Sequence, residues 1–188
     1  VNLVFLLEEP SAKDLLSGLL PKLLPQRVHV HYLVFEGKQD LEDQLVRKLR
    51  GWQMPDSVFV VLRDQDAAEC RVVRARLAKL VDESRRTPSL VRVACRELES
   101  WIVGDWHAVA EAFERPDLAS LALKEPYREP DALVRPVERL RKHIPEYQKR
   151  DGARRVGALL DPQRNQSRSF RVFCTGLKTL MEPPLRTS

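Results

Sequence analysis

The sequence predicts an α/β fold: a mainly parallel four-stranded sheet with helices on both faces, followed by a helical, basic C-terminal extension. Three observations carry this expectation. Four short apolar runs alternate with amphipathic helical segments across short connections, which implies right-handed crossovers between parallel strands. The runs are continuously apolar rather than alternating, as in strands covered on both faces. From Leu98 onward the pattern is helical only.

The elements follow in order. Residues 2–7, NLVFLL, read as a buried strand. Ser11 is a candidate cap for a helix from Ala12 to Leu24, with Leu15, Leu16, Leu19 and Leu20 at helical spacing, and Pro21 is expected to end or kink it. Residues 28–35, VHVHYLVF, are β-branched and aromatic and give a second strand. After the turn at Glu36-Gly37-Lys38, residues Leu41, Leu45, Val46 and Leu49 mark a helix ending near Gly51. The strongest strand, SVFVVL at 57–62, runs into Arg63-Asp64-Gln65-Asp66, and a helix from Ala67 to Ser84 follows. Residues 89–97, SLVRVACRE, make the fourth strand. Short helices are expected through Ser100–Val103 and from Asp105 to Phe113, then a loop-rich stretch between Arg115 and Pro130. Asp131 is a candidate cap for a helix to Arg141, with further helices near 152–160 and 168–180 and a frayed tail, MEPPLRTS. The organisation expected is a core over 1–114 with an extension over 115–188 packed on it.

Composition bounds the function classes. With 188 residues, 43% hydrophobic and 31% charged, the chain can bury a core and is no disordered segment. No apolar run approaches the roughly 20 residues that span a bilayer. The opening VNLVFLLEEP lacks a basic flank and a cleavage site, so a cytoplasmic location is expected. Cys70, Cys95 and Cys174 are odd in number and dispersed, which argues for free thiols. His29 and His31 alternate on one strand without a third ligand nearby. Net charge is +5, unevenly spread: from Arg135 onward thirteen Lys/Arg face five Asp/Glu, net +8, leaving −3 on the first 134 residues. An acidic body with a basic end suits metal on one part and phosphate on the other, although basic helix faces are also simply solvated.

The acids are placed where chemistry is expected. Ligands of open parallel sheets bind at the carboxyl ends of strands. Here the first strand ends in Glu8-Glu9, the third in Asp64-x-Asp66 and the fourth in Glu97-x-Glu99. Carboxylates brought together repel one another and raise each other's pKa, and a divalent cation removes that penalty. Oxygen-only ligands suit Mg²⁺ or Mn²⁺. In an extended segment Asp64 and Asp66 project to one side and can share a metal. Asp66 could equally cap the following helix.

The segments FLLEEPSAKDLL, VFVVLRDQDAAEC and ACRELESWIVGD, with the late NQSRSFRVF, resemble the TOPRIM fold, a Rossmann-like α/β type, and within it the bacterial DUF4276 family. The resemblance assigns Glu8 after the first strand, Asp64 and Asp66 after the third, and Glu99 with Trp101 after the fourth. It implies a Mg²⁺- or Mn²⁺-dependent nuclease related to those of the overcoming-lysogenization type, acting on DNA or RNA, often encoded beside an ATPase in anti-phage defence. Glu9 and Pro10 stand where TOPRIM proteins often have glycine, so Glu8, Glu9 or both reach the metal.

In that reading Glu8, Asp64, Asp66 and Lys149 are the catalytic candidates. Glu8, Glu9, Asp64, Asp66, Glu97 and Glu99 are the metal candidates. Arg150, Arg154, Arg155, Arg164, Ser167, Arg168 and Ser169 are candidates for nucleic-acid contact. The serines could instead cap a helix. Trp101 and Trp106 lie in apolar helical segments and read as core rather than base-stacking platforms. A homo-oligomer is possible. No G-x-x-x-x-G-K-[ST] occurs, so ATP hydrolysis would belong to a partner protein. Two rivals stand beside the nuclease: a non-catalytic docking or regulatory subunit of an ATPase complex, and a phosphoacceptor domain using Asp64. The second lacks the expected fifth strand ending in lysine.

Overall fold

The computed structural model describes residues 1–87 and 89–182. The predicted frayed tail therefore lies outside the described residues from Pro183 onward. Four strands, β1 (Asn2–Leu7), β2 (His29–Val34), β3 (Ser57–Asp64) and β4 (Ser89–Ala94), form one sheet in the order β2-β1-β3-β4. All pairings are parallel, with Leu7 opposite Val34 and Leu62 and with Asp64 opposite Ala94.

Helices cover both faces, as expected. On one face, α1 (Pro10–Leu23) supplies Leu15, Leu16 and Leu19 against Leu3, Phe5 and Leu7 of β1 and Val58, Val60 and Leu62 of β3. On the other, α2 (Lys38–Gly51) and α3 (Cys70–Ser84) pack Leu41, Leu45 and Leu77 on Val4, Leu6, Phe59 and Val61. The chain moves outward from β1 in one direction to β2 and in the other to β3 and β4. The carboxyl ends of β1 and β3 thus flank the switch point where such sheets open a crevice.

Strand alternation then decides which acid faces which layer. Odd residues of β1 and even residues of β3 face the α1 layer, so the alternation carries Glu9 and Asp64 to that side. Glu8 and Arg63 belong to the opposite side.

The later helices complete the α1 layer. They are α4 (Glu99–Val103), α5 (Trp106–Ala112), α6 (Pro136–His143), α7 (Lys149–Gly157) and α8 (Arg168–Met181). Trp101, Trp106, Tyr147, Phe170 and Phe173 are buried there in one core with Phe5 and Leu7. The stretch 116–123 forms a 3-10 turn rather than a loop. Helices α1 and α7 meet closely: a Cβ on Gly157 would come within 2.3 Å of the Leu15 carbonyl oxygen, and one on Gly18 within 2.6 Å of the Ala158 nitrogen.

Three local expectations are corrected. Pro21 does not end α1, because it sits in the last turn and the helix closes at Leu23. The helix after β3 starts at Cys70 rather than Ala67, so Asp66 caps nothing. Asp131 does not cap α6, which begins at Pro136. Its carboxylate instead accepts from the Ser169 backbone N–H at 2.7 Å and the Ser167 hydroxyl at 2.6 Å, fixing the start of α8.

Candidate metal centre

Three carboxylates converge at the carboxyl ends of the strands: Glu9, Asp64 and Glu99 each place one oxygen within 4.8 Å of the others. Each arrives by a different route. Glu9 has extended backbone (φ −144°, ψ 160°) just before α1, whose Pro10 starts the helix with a residue lacking an N–H. Asp64 ends β3. Glu99 opens α4 and is completely buried.

Lys149, the first residue of α7, reaches into the group. Its Nζ lies 3.1 and 3.2 Å from the Glu9 oxygens and 3.6 Å from Glu99 Oε2. Both Glu99 oxygens are buried without a hydrogen-bond partner among the described residues, as is the Tyr147 hydroxyl.

The charge state follows from this crowding. Burial, opposed by Lys149 and reinforced by Glu9, pushes Glu99 up to about 7. Burial, then Glu99 and Glu9, raises Asp64 well above the ordinary aspartate range. Burial works against the Lys149 ammonium, but Glu99 and Glu9 outweigh it and push its pKa up. Tyr147 is held protonated by burial and by Glu99. A set of three carboxylates, with both Glu99 oxygens lacking a hydrogen bond among the described residues, fits a metal ion.

The other expected metal ligands sit beside this group rather than in it. Glu8 turns to the far side of the sheet. Its Oε2 accepts the Asp64 backbone N–H at 3.0 Å and lies 3.7 Å from Arg63 Nε. Asp66 does not share a side with Asp64, because its backbone is left-handed (φ 57°) and the extended geometry behind that expectation is broken. Its carboxylate pairs with Lys38 at 3.0 Å and approaches Arg63 at 3.9 Å. Glu97 is half-buried, and burial raises its pKa against the pull of Lys149.

Sequence reasoning missed Arg63 and Glu42, a buried ion pair behind Glu8, with Arg76 bonded to the second Glu42 oxygen at 2.6 Å. A charged residue inside the apolar run SVFVVLRD was the signal, since buried arginine is rare unless paired.

The expected nucleic-acid residues divide into four groups. Arg150, Arg154 and Arg155 are exposed on α7 and bonded to Asp14 or Asp151 at 2.7–2.8 Å. Arg164 is clamped on the buried Asp105 at 2.7 Å, which ties it to a structural role. Ser167 and Ser169 are buried: Ser167 caps α8 by accepting the Phe170 N–H, and Ser169 accepts the Trp101 indole N–H at 2.8 Å. Neither serine is presented to a phosphate. Arg168 is exposed on α8, along a cavity separate from the carboxylates.

Among the described residues no helix is long and apolar enough to cross a membrane. No curated protein matches the chain. Among solved structures, it is similar to the C-terminal region of the Burkholderia pseudomallei OLD protein. The two share 19% identity over 95% of this chain and 97% of that one, with a TM-score of 0.51, a likeness of fold. Residues 7–178 match a family described as a domain of unknown function, DUF4276, which spans nearly all of the described residues. The resemblance read from the strand-end acids thus holds from the end of β1 into α8: the chain belongs to the DUF4276 family.

Proposed function

We propose that the chain is a Mg²⁺- or Mn²⁺-dependent nuclease that hydrolyses phosphodiesters of DNA or RNA. The observation that carries the proposal is the convergence of Glu9, Asp64 and Glu99, with both Glu99 oxygens buried and without a hydrogen bond among the described residues, beside the Lys149 ammonium. Residues 1–114 supply the carboxylates in this reading, and residues 115–188 supply the lysine and the exposed arginines of α7. The likeness to the OLD C-terminal region supports the same class of function.

A divalent cation at this place would neutralise a non-bridging phosphate oxygen and lower the pKa of a bound water. Glu9, Asp64 and Glu99 would hold it, and Asp64 and Glu99, which burial favours in their protonated form, would release protons as they do so. Lys149 would then be repelled from the carboxylates and donate to the scissile phosphate. Glu8, on the other side of the sheet, would hold Asp64 in position by accepting its backbone N–H. Glu8, Asp66 and Glu97 line the same strand ends and stand as candidates for a second cation. Lys38 would have to leave Asp66 for that to happen. Arg150, Arg154 and Arg155, exposed on α7, would follow the polymer backbone by giving up their pairs with Asp14 and Asp151. The family resemblance further supports an effector subunit working beside an ATPase in anti-phage defence.

The test is cleavage of supercoiled plasmid, single-stranded DNA and tRNA with Mg²⁺ or Mn²⁺, with and without an adjacently encoded ATPase. Wild type is compared with Asp64→Asn and Glu99→Gln. Metal-dependent cutting abolished in both variants is expected. A folded protein that cuts nothing with the partner present, or whose cutting survives both changes, would refute the proposal.

A further inference from the structure

Away from the carboxylates, a cavity of about 1060 Å³ runs along α8 beside the edge strand β4. It contains none of Glu9, Asp64, Glu99 or Lys149. Its walls are largely apolar, with Val58, Leu90, Val172 and Leu180 contributing, and Val172 is 46% exposed. Monomeric surfaces seldom leave such a face open without a use.

Its charge is one-sided. Arg27, Arg92, Arg168 and Arg171 line it, against Glu182 as the single carboxylate among the described lining residues. None of the four arginines is ion-paired among the described residues, whereas eleven other arginines and lysines among them have carboxylate partners.

Arg92 is also built into place. Its Nε is buried with no hydrogen-bond partner, while Nη1 donates to the Val91 carbonyl at 2.9 Å. The guanidinium lies across α8 at Gly176, where a Cβ would come within 2.3 Å of Nη2. Glycine inside a helix is destabilising relative to alanine. Here it provides the room in which the Arg92 head lies against the helix. Burial and the nearby Arg74 lower the Arg92 pKa, so its charge is held without compensation.

We propose that this groove is a docking site for an acidic amphipathic helix of a partner protein, its apolar stripe lying along α8 and its carboxylates meeting Arg27, Arg92, Arg168 and Arg171. Apolar anchors in a groove with charges at the rim are the established physics of helix recognition. Other occupants fit less well. The chain's own segment 183–188, PPLRTS, brings Arg186 and no acid. A second copy brings a net charge of +5. A nucleic-acid backbone would satisfy the arginines and leave the apolar wall without a counterpart.

The test uses the full chain and labelled peptides of about four helical turns, read by fluorescence anisotropy. One peptide has leucines at helical spacing flanked by glutamates, a second has lysines for the glutamates, and a third is the acidic composition scrambled. A short DNA duplex is the fourth probe. Binding of the acidic amphipathic peptide alone is expected, weakening with salt. It should fall about tenfold or more in Arg27→Glu/Arg92→Glu and in Val172→Asp. Val172→Asp alters an exposed side chain, so the fold is retained, and metal-dependent cleavage should be unchanged in it. Equal binding of the lysine or scrambled peptide, preference for the duplex, or indifference to both variants would overturn the proposal. So would acidic-peptide binding that appears only after residues 183–188 are removed, since the chain's own end would then be the occupant. These outcomes are independent of whether the carboxylate cluster cleaves nucleic acid.

Discussion

Replacing Glu99 by glutamine keeps the shape of the side chain and removes its ionisation. A carboxyl moved from 4.5 to about 7 by burial corresponds to about 3 kcal/mol of interaction favouring its protonated form. The folded state, free of metal, therefore binds more protons than the unfolded chain between those two values. The Glu99 contribution to stability is largest below the unfolded pKa and is lost as pH rises toward the folded one. Above about pH 7 wild type carries the full cost of an ionised Glu99, offset in part by Lys149. Glu99→Gln carries none of it. In chelator-treated protein the variant should match wild type near pH 4.5 and exceed it by up to about 3 kcal/mol at about pH 8.5. Adding Mn²⁺ should reverse the order, because a bound ligand stabilises only the chain that can hold it. Urea denaturation across this pH range, with and without Mn²⁺, reads all of these differences. If metal-free Glu99→Gln were less stable than wild type at high pH, or kept the same pH slope, the buried carboxylate would be satisfied by a bond the structure lacks. The reasoning would then fail.

Two further outcomes follow from packing and capping. Gly157→Ala puts a methyl within 2.3 Å of the Leu15 carbonyl oxygen, so α1 and α7 must separate. A loss of about 1–3 kcal/mol in urea denaturation is expected, with weaker Mn²⁺ binding as Lys149 shifts relative to Glu9. Asp131→Ala removes the acceptor for the Ser169 N–H and the Ser167 hydroxyl, and should cost about 1–2 kcal/mol in the same assay while leaving Mn²⁺ affinity unchanged. Unaltered stability would mean that water replaces the cap.

The sheet was legible because its central strands, β1 and β3, are covered on both faces. NLVFLL and SVFVVL can be read as strands with no knowledge of their partners. The acids at the strand ends were legible for the same reason, since a strand that ends in carboxylates at a switch point advertises a site. The choice between Glu8 and Glu9 was not legible. It rests on a one-residue parity relative to Leu7 and Leu62, set by register and seen only once the layers are assigned. Asp66 was misread because a left-handed φ, adopted here by a residue other than glycine, leaves no mark in the sequence. Asp131 was misread because a capping carboxylate 38 residues from Ser169 looks local in sequence to Pro136. Lys149 was one candidate among the basic residues of the C-terminal third, but its contact with Glu9 spans 140 residues and no periodicity foretells it.

The seam between α1 and α7 also fixes the order in which the molecule matures on the ribosome. Synthesis at about 5–20 residues per second leaves on the order of ten seconds between the emergence of Glu9 and that of Lys149. During that interval Phe5, Leu7 and Val60 lack the α7 and α8 side of their core, and the acids lack their ammonium. A nascent or truncated chain therefore holds most of a sheet but no assembled centre. The glycine contact at Gly18 and Gly157 can close only once α7 has emerged, so the carboxylate centre assembles in one step at that point rather than gradually.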